Sequence, residues 1–369
     1  MIVPPMRIAF DESDKAEILA RIDACLSDGQ LAQGRNVSEF EELFRGVVGS
    51  RHAIAVSSGG SALEAAMRAL EIRGMDVIVP TNTFIATATA VRAAGGNVVL
   101  ADIDPSTAAP SVDQIRAAWT KNTAGVIVVH IGGLLSPEIR DIRDYCDSRD
   151  AWLFEDCAHA HGSSVYGVSA GRFGIGGAYS FFSTKVITCG EGGMVVTDDD
   201  ELATRIRAYR NYGKPEPWVS ISTTWGVNFR LNEIAAAIGA VQVKRLANIV
   251  TRRSAVAARY IQLLGGVNSI RLMQPAGPSG WYKFIIRTPS TAVRANIRDV
   301  MRENKISLPG NVYDVPLNLQ PLWPRERRHF PESARFCQEH LCLPIYASMT
   351  EAETVYVVDT LLSALRSYA

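Results

Sequence analysis

Lys185 has the setting that most invites chemistry in this 369-residue chain. It closes the stretch Tyr179-Ser180-Phe181-Phe182-Ser183-Thr184-Lys185, and a turn through Glu191-Gly192-Gly193 leads into the next apolar run. At such a strand end the stem of a lysine is buried and its amine faces a cleft. Desolvation lowers the pKa of an amine, and an unprotonated amine attacks carbonyls to form a Schiff base. Taken alone, the position also reads as an ordinary exposed lysine.

A second constellation is Trp152-Leu153-Phe154-Glu155-Asp156-Cys157-Ala158-His159-Ala160-His161-Gly162. Two adjacent carboxylates at the end of an apolar strand turn one of them toward the strand-end crevice, where a buried acid is costly without a cation. A pyridinium nitrogen is such a cation. With Asp156 as its partner it stays protonated and its ring electron-poor, which is the electron sink that pyridoxal phosphate (PLP) supplies. A structural ion pair or a helix cap is the other reading of Asp156. His159 and His161 carry no HExxH or comparable ligand spacing, so no metal site is expected.

Two further pieces lie upstream. Ser58-Gly59-Gly60-Ser61 joins an apolar strand to a helix, where glycines admit a phosphate and the first N–H groups of the helix bind it. It has neither the GxxxxGK[ST] of a P-loop nor GxGxxG, and as a lone turn it also reads as an N-cap. Ser180 can add a hydroxyl to the same phosphate. Phe84 follows the second apolar run, where its ring can lie on a planar ligand or simply join the core.

These residues need a scaffold, and the pattern supplies one. Seven short apolar runs, at 53–57, 77–80, 97–101, 125–131, 151–154, 178–182 and 193–197, alternate with helical spacings at 61–70, 84–94, 111–120 and 136–149. That is the pattern of an α/β fold whose mostly parallel sheet is buried on both faces and binds ligands at the carboxyl ends of its strands. A long helix or helix pair is expected over 231–258. A smaller α+β unit then follows, with a strand at 281–288, a helix at 292–304, a Pro-rich loop through Pro331 and two last helices. The expected division is 1–250 and 251–369, with the hinge near 246–264.

Composition narrows the partners. Lys and Arg total 38 against 38 Asp and Glu, so the formal charge is zero, and no basic tract suits nucleic acid or an anionic membrane. No signal peptide or membrane span is expected, and the six scattered cysteines fit small core residues of a cytoplasmic protein.

In order and spacing, the glycine turn, the strand-end Phe84, Glu155-Asp156 with His159-Ala160-His161-Gly162, and Lys185-x5-Glu191-Gly192-Gly193 resemble the DegT-type sugar aminotransferases, a family of fold-type I PLP enzymes. The resemblance runs over nearly the whole chain and is densest over 57–230. It implies a fold-type I large domain, with a seven-stranded sheet sandwiched by helices, and a small C-terminal domain. Lys185 is then the lysine that binds the cofactor aldehyde and moves the proton. Asp156 pairs with the pyridine nitrogen, Phe84 and His159 lie on its two faces, and Gly60, Ser61 and Ser180 hold the phosphate. Asn228, in Gly226-Val227-Asn228-Phe229-Arg230, is implied to reach the phosphate of a second copy, which makes the protein a homodimer with shared sites. The implied reaction moves an amino group from glutamate or glutamine to a keto-sugar, most simply a nucleotide-linked 4- or 3-keto-6-deoxysugar of an antibiotic or polysaccharide pathway. A keto-cyclitol or aminoshikimate-type ring is the alternative, and a non-catalytic regulatory protein a third. Dehydratases of the family carry histidine in place of the lysine, so Lys185 speaks against that chemistry.

Three departures stand out. Gly60 replaces the usual threonine of Ser-Gly-Thr, which leaves Ser61 as the expected substitute hydroxyl. His159 replaces a glutamine. Asn311-Val312-Tyr313-Asp314 and Leu317-Asn318 lack both substrate-side histidines of the family.

Overall fold

The structure is a computed structural model that describes every residue except 9, 217, 324, 325, 327 and 369. Two N-terminal helices, α1 (Glu12–Asp28) and α2 (Arg35–Val48), come first. There follow β1 (His52–Val56), α3 (Gly59–Ala69), β2 (Asp76–Pro80), α4 (Ile85–Ala93), β3 (Asn97–Ala101), α5 (Val112–Ala118), β4 (Thr123–Val129), α6 (Ile139–Asp147) and β5 (Trp152–Asp156). After a short hairpin, β6 (Ser164–Val165) and β7 (Val168–Ser169), the chain forms β8 (Gly176–Ser180), β9 (Gly193–Thr197), α7 (Asp200–Tyr209) and α8 (Glu233–Leu264).

The large sheet has the order β1-β9-β8-β5-β4-β2-β3, and only the contacts of β9 with β1 and β8 are antiparallel. Its seven strands are the seven apolar runs, displaced by two residues at most. The displacement at β4 has a local cause: Gly132 and Gly133 take φ of 67° and 92°, which ends the extended chain at Val129 and starts a turn.

Strand residues alternate between two cores, as the two-residue period requires. Ala53 and Ala55 of β1 pack with α2, α6 and α8, while Ile54 and Val56 pack with α3, α4 and α7. Burial on both sides is why these strands read as unbroken apolar runs. α8 is one helix of 32 residues rather than a pair, capped at its start by the Asn232 side chain on the Ala235 N–H. It is apolar and long enough to cross a membrane by composition, but its small residues are packed against α2 and α1 in the core.

The C-terminal unit contains β10 (Arg271–Leu272), β11 (Phe284–Arg287), α9 (Thr291–Glu303), α10 (Pro331–Glu339), β12 (His340–Leu343) and α11 (Glu351–Arg366). The strand expected at 281–288 is shorter, the loop through Pro331 lies partly outside the described residues, and β12 stands between the two last helices, where no strand was expected. β12 pairs with β11 along four residues. The C-terminal half of α8 contributes Val256, Ala257, Tyr260 and Leu264 to this core. So does Val3, which bridges to Ile306, so the first residues of the chain sit on the 251–369 unit and not with the rest of 1–250.

Candidate active site

A cavity of about 800 Å³ opens where the carboxyl ends of β4, β5 and β8 meet the starts of α3 and α4. The C-terminal unit closes it from the other side with Tyr282, Lys283 and residues 308–313.

Successive residues of β5 face opposite ways, which separates the paired carboxylates. Glu155 points away from the cavity and is fully used: it accepts from the N–H groups of Gly171 (2.8 Å), Phe173 (2.6 Å) and Gly174 (3.2 Å) and pairs with His130 Nε2 at 2.8 Å. Cys157 lies within ligand distance of the same two groups, but a carboxylate so occupied reads as an anchor for the 171–174 loop. Asp156 points into the cavity and is 4% exposed. It accepts from the Thr87 hydroxyl at 2.8 Å and the Ala158 N–H at 3.1 Å, and among the described residues it makes no ion pair. Burial pushes its pKa up, and the two hydrogen bonds oppose the rise.

Lys185 is held by its own N–H on the Phe182 carbonyl (3.0 Å), and its Nζ lies 4.8 Å from the centre of the Tyr282 ring. Burial lowers the amine to about 8; the Asp156 charge opposes that fall and the Lys283 charge adds to it. About a tenth is therefore free base at neutral pH, far more than for an ordinary lysine, and the free base is the form that binds carbonyls.

His159 stacks on Tyr282, with centroids 4.3 Å apart, and its Nδ1 accepts from the Gly132 N–H at 3.3 Å. A backbone N–H only donates, so any ring proton sits on Nε2. Burial drives the His159 pKa well below its usual value, and the ring is neutral. His161 is elsewhere, edge-on to Tyr179 and Phe181 in the core. Phe84 is 56% exposed at the cavity edge, with the Tyr313 ring 5.9 Å away.

The start of α3 differs from expectation in one respect. The Ser58 side chain accepts from the Ser61 N–H at 3.0 Å, and the Ser61 hydroxyl bonds those of Ser57 and Ser58, so Ser61 is consumed in capping and does not line the cavity. Gly59 and Gly60 line it instead, and among the described residues their N–H groups have no acceptor. A Cβ on Gly59 would come within 2.6 Å of Ser180 Cβ, so only glycine lets the helix start close on the Ser180 hydroxyl. Asn228 is also displaced from the other residues: it is exposed, and among the described residues its side chain bonds only the Arg230 N–H and does not line the cavity.

Residues 12–362 match the sequence model of the DegT/DnrJ/EryC1/StrS aminotransferase family. The chain belongs to that family. It is 33% identical to the dTDP-3-amino-3,4,6-trideoxy-alpha-D-glucose transaminase of Streptomyces venezuelae over 99% of this chain and 95% of that one. It is 30% identical to the GDP-perosamine synthase of Vibrio cholerae, covering 94% and 95% of the two chains. Among solved structures, NtdA of Bacillus subtilis with bound PMP superposes with a TM-score of 0.89 at 27% identity, covering 97% of this chain and 83% of that one. The protein is a PLP-dependent aminotransferase of the fold that its sequence resembled.

The residues fit that cofactor. A buried carboxylate without a cation matches a pyridine nitrogen, the lowered amine of Lys185 matches its aldehyde, and the free N–H groups of Gly59 and Gly60, at a helix start beside Ser180, match its phosphate. Sequence reading missed Gly59, Thr87, Tyr282 and Lys283. Thr87 follows Phe84 by one helical turn, a spacing that does place it on the same helix face. Nothing in the local pattern marks Tyr282 or Lys283, because the cavity they line is closed only when β11 packs beside the loop after β4.

Proposed function

We propose that this aminotransferase moves an amino group from glutamate or glutamine to the ketone of a nucleotide-linked 3- or 4-keto-6-deoxysugar. The placement of Lys185 and Asp156 on one cavity carries the reading: an amine lowered to about 8 and a buried acid line the same space. When bound, the cofactor supplies the electron sink for breaking the bond to hydrogen at the amine-bearing carbon. Lys185 would carry that proton, Asp156 would hold the ring nitrogen protonated, and His159, neutral, would stand beside the ring. Relatives named for dTDP- and GDP-linked sugars support a sugar acceptor with a nucleotide, without fixing its base.

The same reading includes a homodimer. The stretch that carries Asn228 also exposes Trp225 (97%) and Trp218 (80%), apolar surface that a second copy would cover while placing Asn228 at the neighbouring phosphate cup.

The test loads the protein with PMP and offers a panel of ketones, following return of the aldehyde absorbance. Nucleotide-linked keto-deoxysugars should restore it. Restoration by keto-cyclitols alone would favour the carbocyclic alternative, which the missing histidines around Tyr313 leave open. No return with any ketone, and no cofactor fixed to Lys185 by borohydride, would point to a regulatory protein.

A further inference from the structure

Lys283 is a cavity cation without an anion. It stands at the head of β11, its N–H donates to the Gly132 carbonyl at 3.1 Å, and its side chain lines the cavity. Among the described residues no carboxylate pairs with it; its one recorded side-chain interaction is with the Tyr282 ring, 5.0 Å from Nζ to the centroid. The other cations around the cavity differ. Arg245 is paired with Asp11 and Asp14, Arg7 with Glu353, and Arg253 is spent on the carbonyls of Gly280, Trp281 and Tyr282. Arg252 has no side-chain partner among the described residues, but it lies exposed at the rim. Leaving a half-buried ammonium unpaired is costly, and an incoming anion offsets that cost.

The position tells which anion. Lys185 Nζ and Lys283 Nζ face the same Tyr282 ring, at 4.8 Å and 5.0 Å from its centre, so their separation cannot exceed the sum of those distances. An anion bonded to a carbon that Lys185 serves would therefore stand within a few bonds of Lys283. In an α-amino acid that group is a carboxylate, joined directly to the carbon that bears the transferred nitrogen. In a keto-sugar the neighbours of the ketone are hydroxyl-bearing carbons, and any phosphate hangs several bonds away.

We propose that Lys283 is the receptor for the α-carboxylate of the amino donor. The inference rests on the aminotransferase reading above and adds the residue that recognises its first substrate. Arg253 acts on it only as a positioning residue, holding the 280–282 carbonyls that lead into Lys283.

Lys283→Met keeps the stem and removes the charge, and Lys283→Arg restores a cation. The two half-reactions are followed separately through the cofactor absorbance of the holoenzyme. The Met variant should raise the glutamate concentration for half-maximal rate about tenfold or more, the scale of one charge-assisted hydrogen bond. The Arg variant should recover part of that loss, and the concentration dependence on the keto-acceptor should hold. Borohydride fixation to Lys185 in the Met variant shows that it is folded and loaded. An unchanged glutamate dependence would overturn the proposal, as would a loss confined to the acceptor half-reaction, which would assign Lys283 to an acceptor phosphate. Failure of the unaltered enzyme to convert with any amino acid would sink the aminotransferase reading itself, a result distinct from either.

Discussion

The two walls of the cavity are held in place in different ways. On the large-sheet wall the polar side chains are already bonded within the chain: Asp156 takes two hydrogen bonds, His159 one from Gly132, and Ser58 caps the helix whose first two residues line the cavity. On the small-domain wall Arg253 and Lys283 meet no carboxylate among the described residues. Arg253 donates to backbone carbonyls and burial lowers it to about 10, while Lys283 meets only the Tyr282 ring among the described residues. The difference separates two tasks. Groups that handle the cofactor must be preorganised, because their orientation is the chemistry. Groups that recognise a substrate must keep an interaction in reserve for it.

The largest effect belongs to the first wall. Lys185→Ala should lower kcat by about 10³-fold or more, since no positioned base remains to move the proton, and stopped-flow spectra of the two half-reactions would show it. Normal turnover in that variant would break the division between the walls. Asp156→Asn should lower kcat by on the order of a hundredfold, as loss of a preorganised charge does, and steady-state kinetics at saturating substrate would measure it. Kinetics equal to those of the unaltered enzyme would remove Asp156 from the chemistry.

The smallest effect sharpens the link between the walls. Lys185 is lowered to about 8, so below that pH the amine is protonated and cannot take up an aldehyde. PLP capture by the apoprotein should therefore accelerate as pH rises and level off above about 8. The Lys283 charge contributes to the lowering, so in Lys283→Met the midpoint should move upward. A midpoint that stays in place would show that the two walls are electrostatically independent.

Most of the large-sheet wall was legible because it is local. Strand end, glycine turn and helix start are consecutive in sequence, and Lys185 to Gly193 and Glu155 to Gly162 are short stretches whose spacing survives folding intact. Ser61 shows the limit of that reading. It sits at the right helix start, but the Ser58 cap takes its N–H, and the cavity falls to Gly59 and Gly60. Asn228 shows another, since the resemblance places its neighbour on a second copy, and among the described residues it does not line the cavity with Lys185.

Sequence alone determined the α/β class, the seven strands and the strand-end residues that line the cavity, because the two-residue period and the strand-to-turn chemistry are set by neighbouring residues. Tertiary structure alone decided that Asp156 and not Glu155 faces the cavity, that Thr87 holds it, and that α8 runs unbroken from one unit into the other. It also decided that Lys283, 98 residues after Lys185, shares a tyrosine ring with it. Pleat direction and the packing of one unit on another are long-range outcomes, fixed by which surfaces are buried together and written in no single stretch of chain.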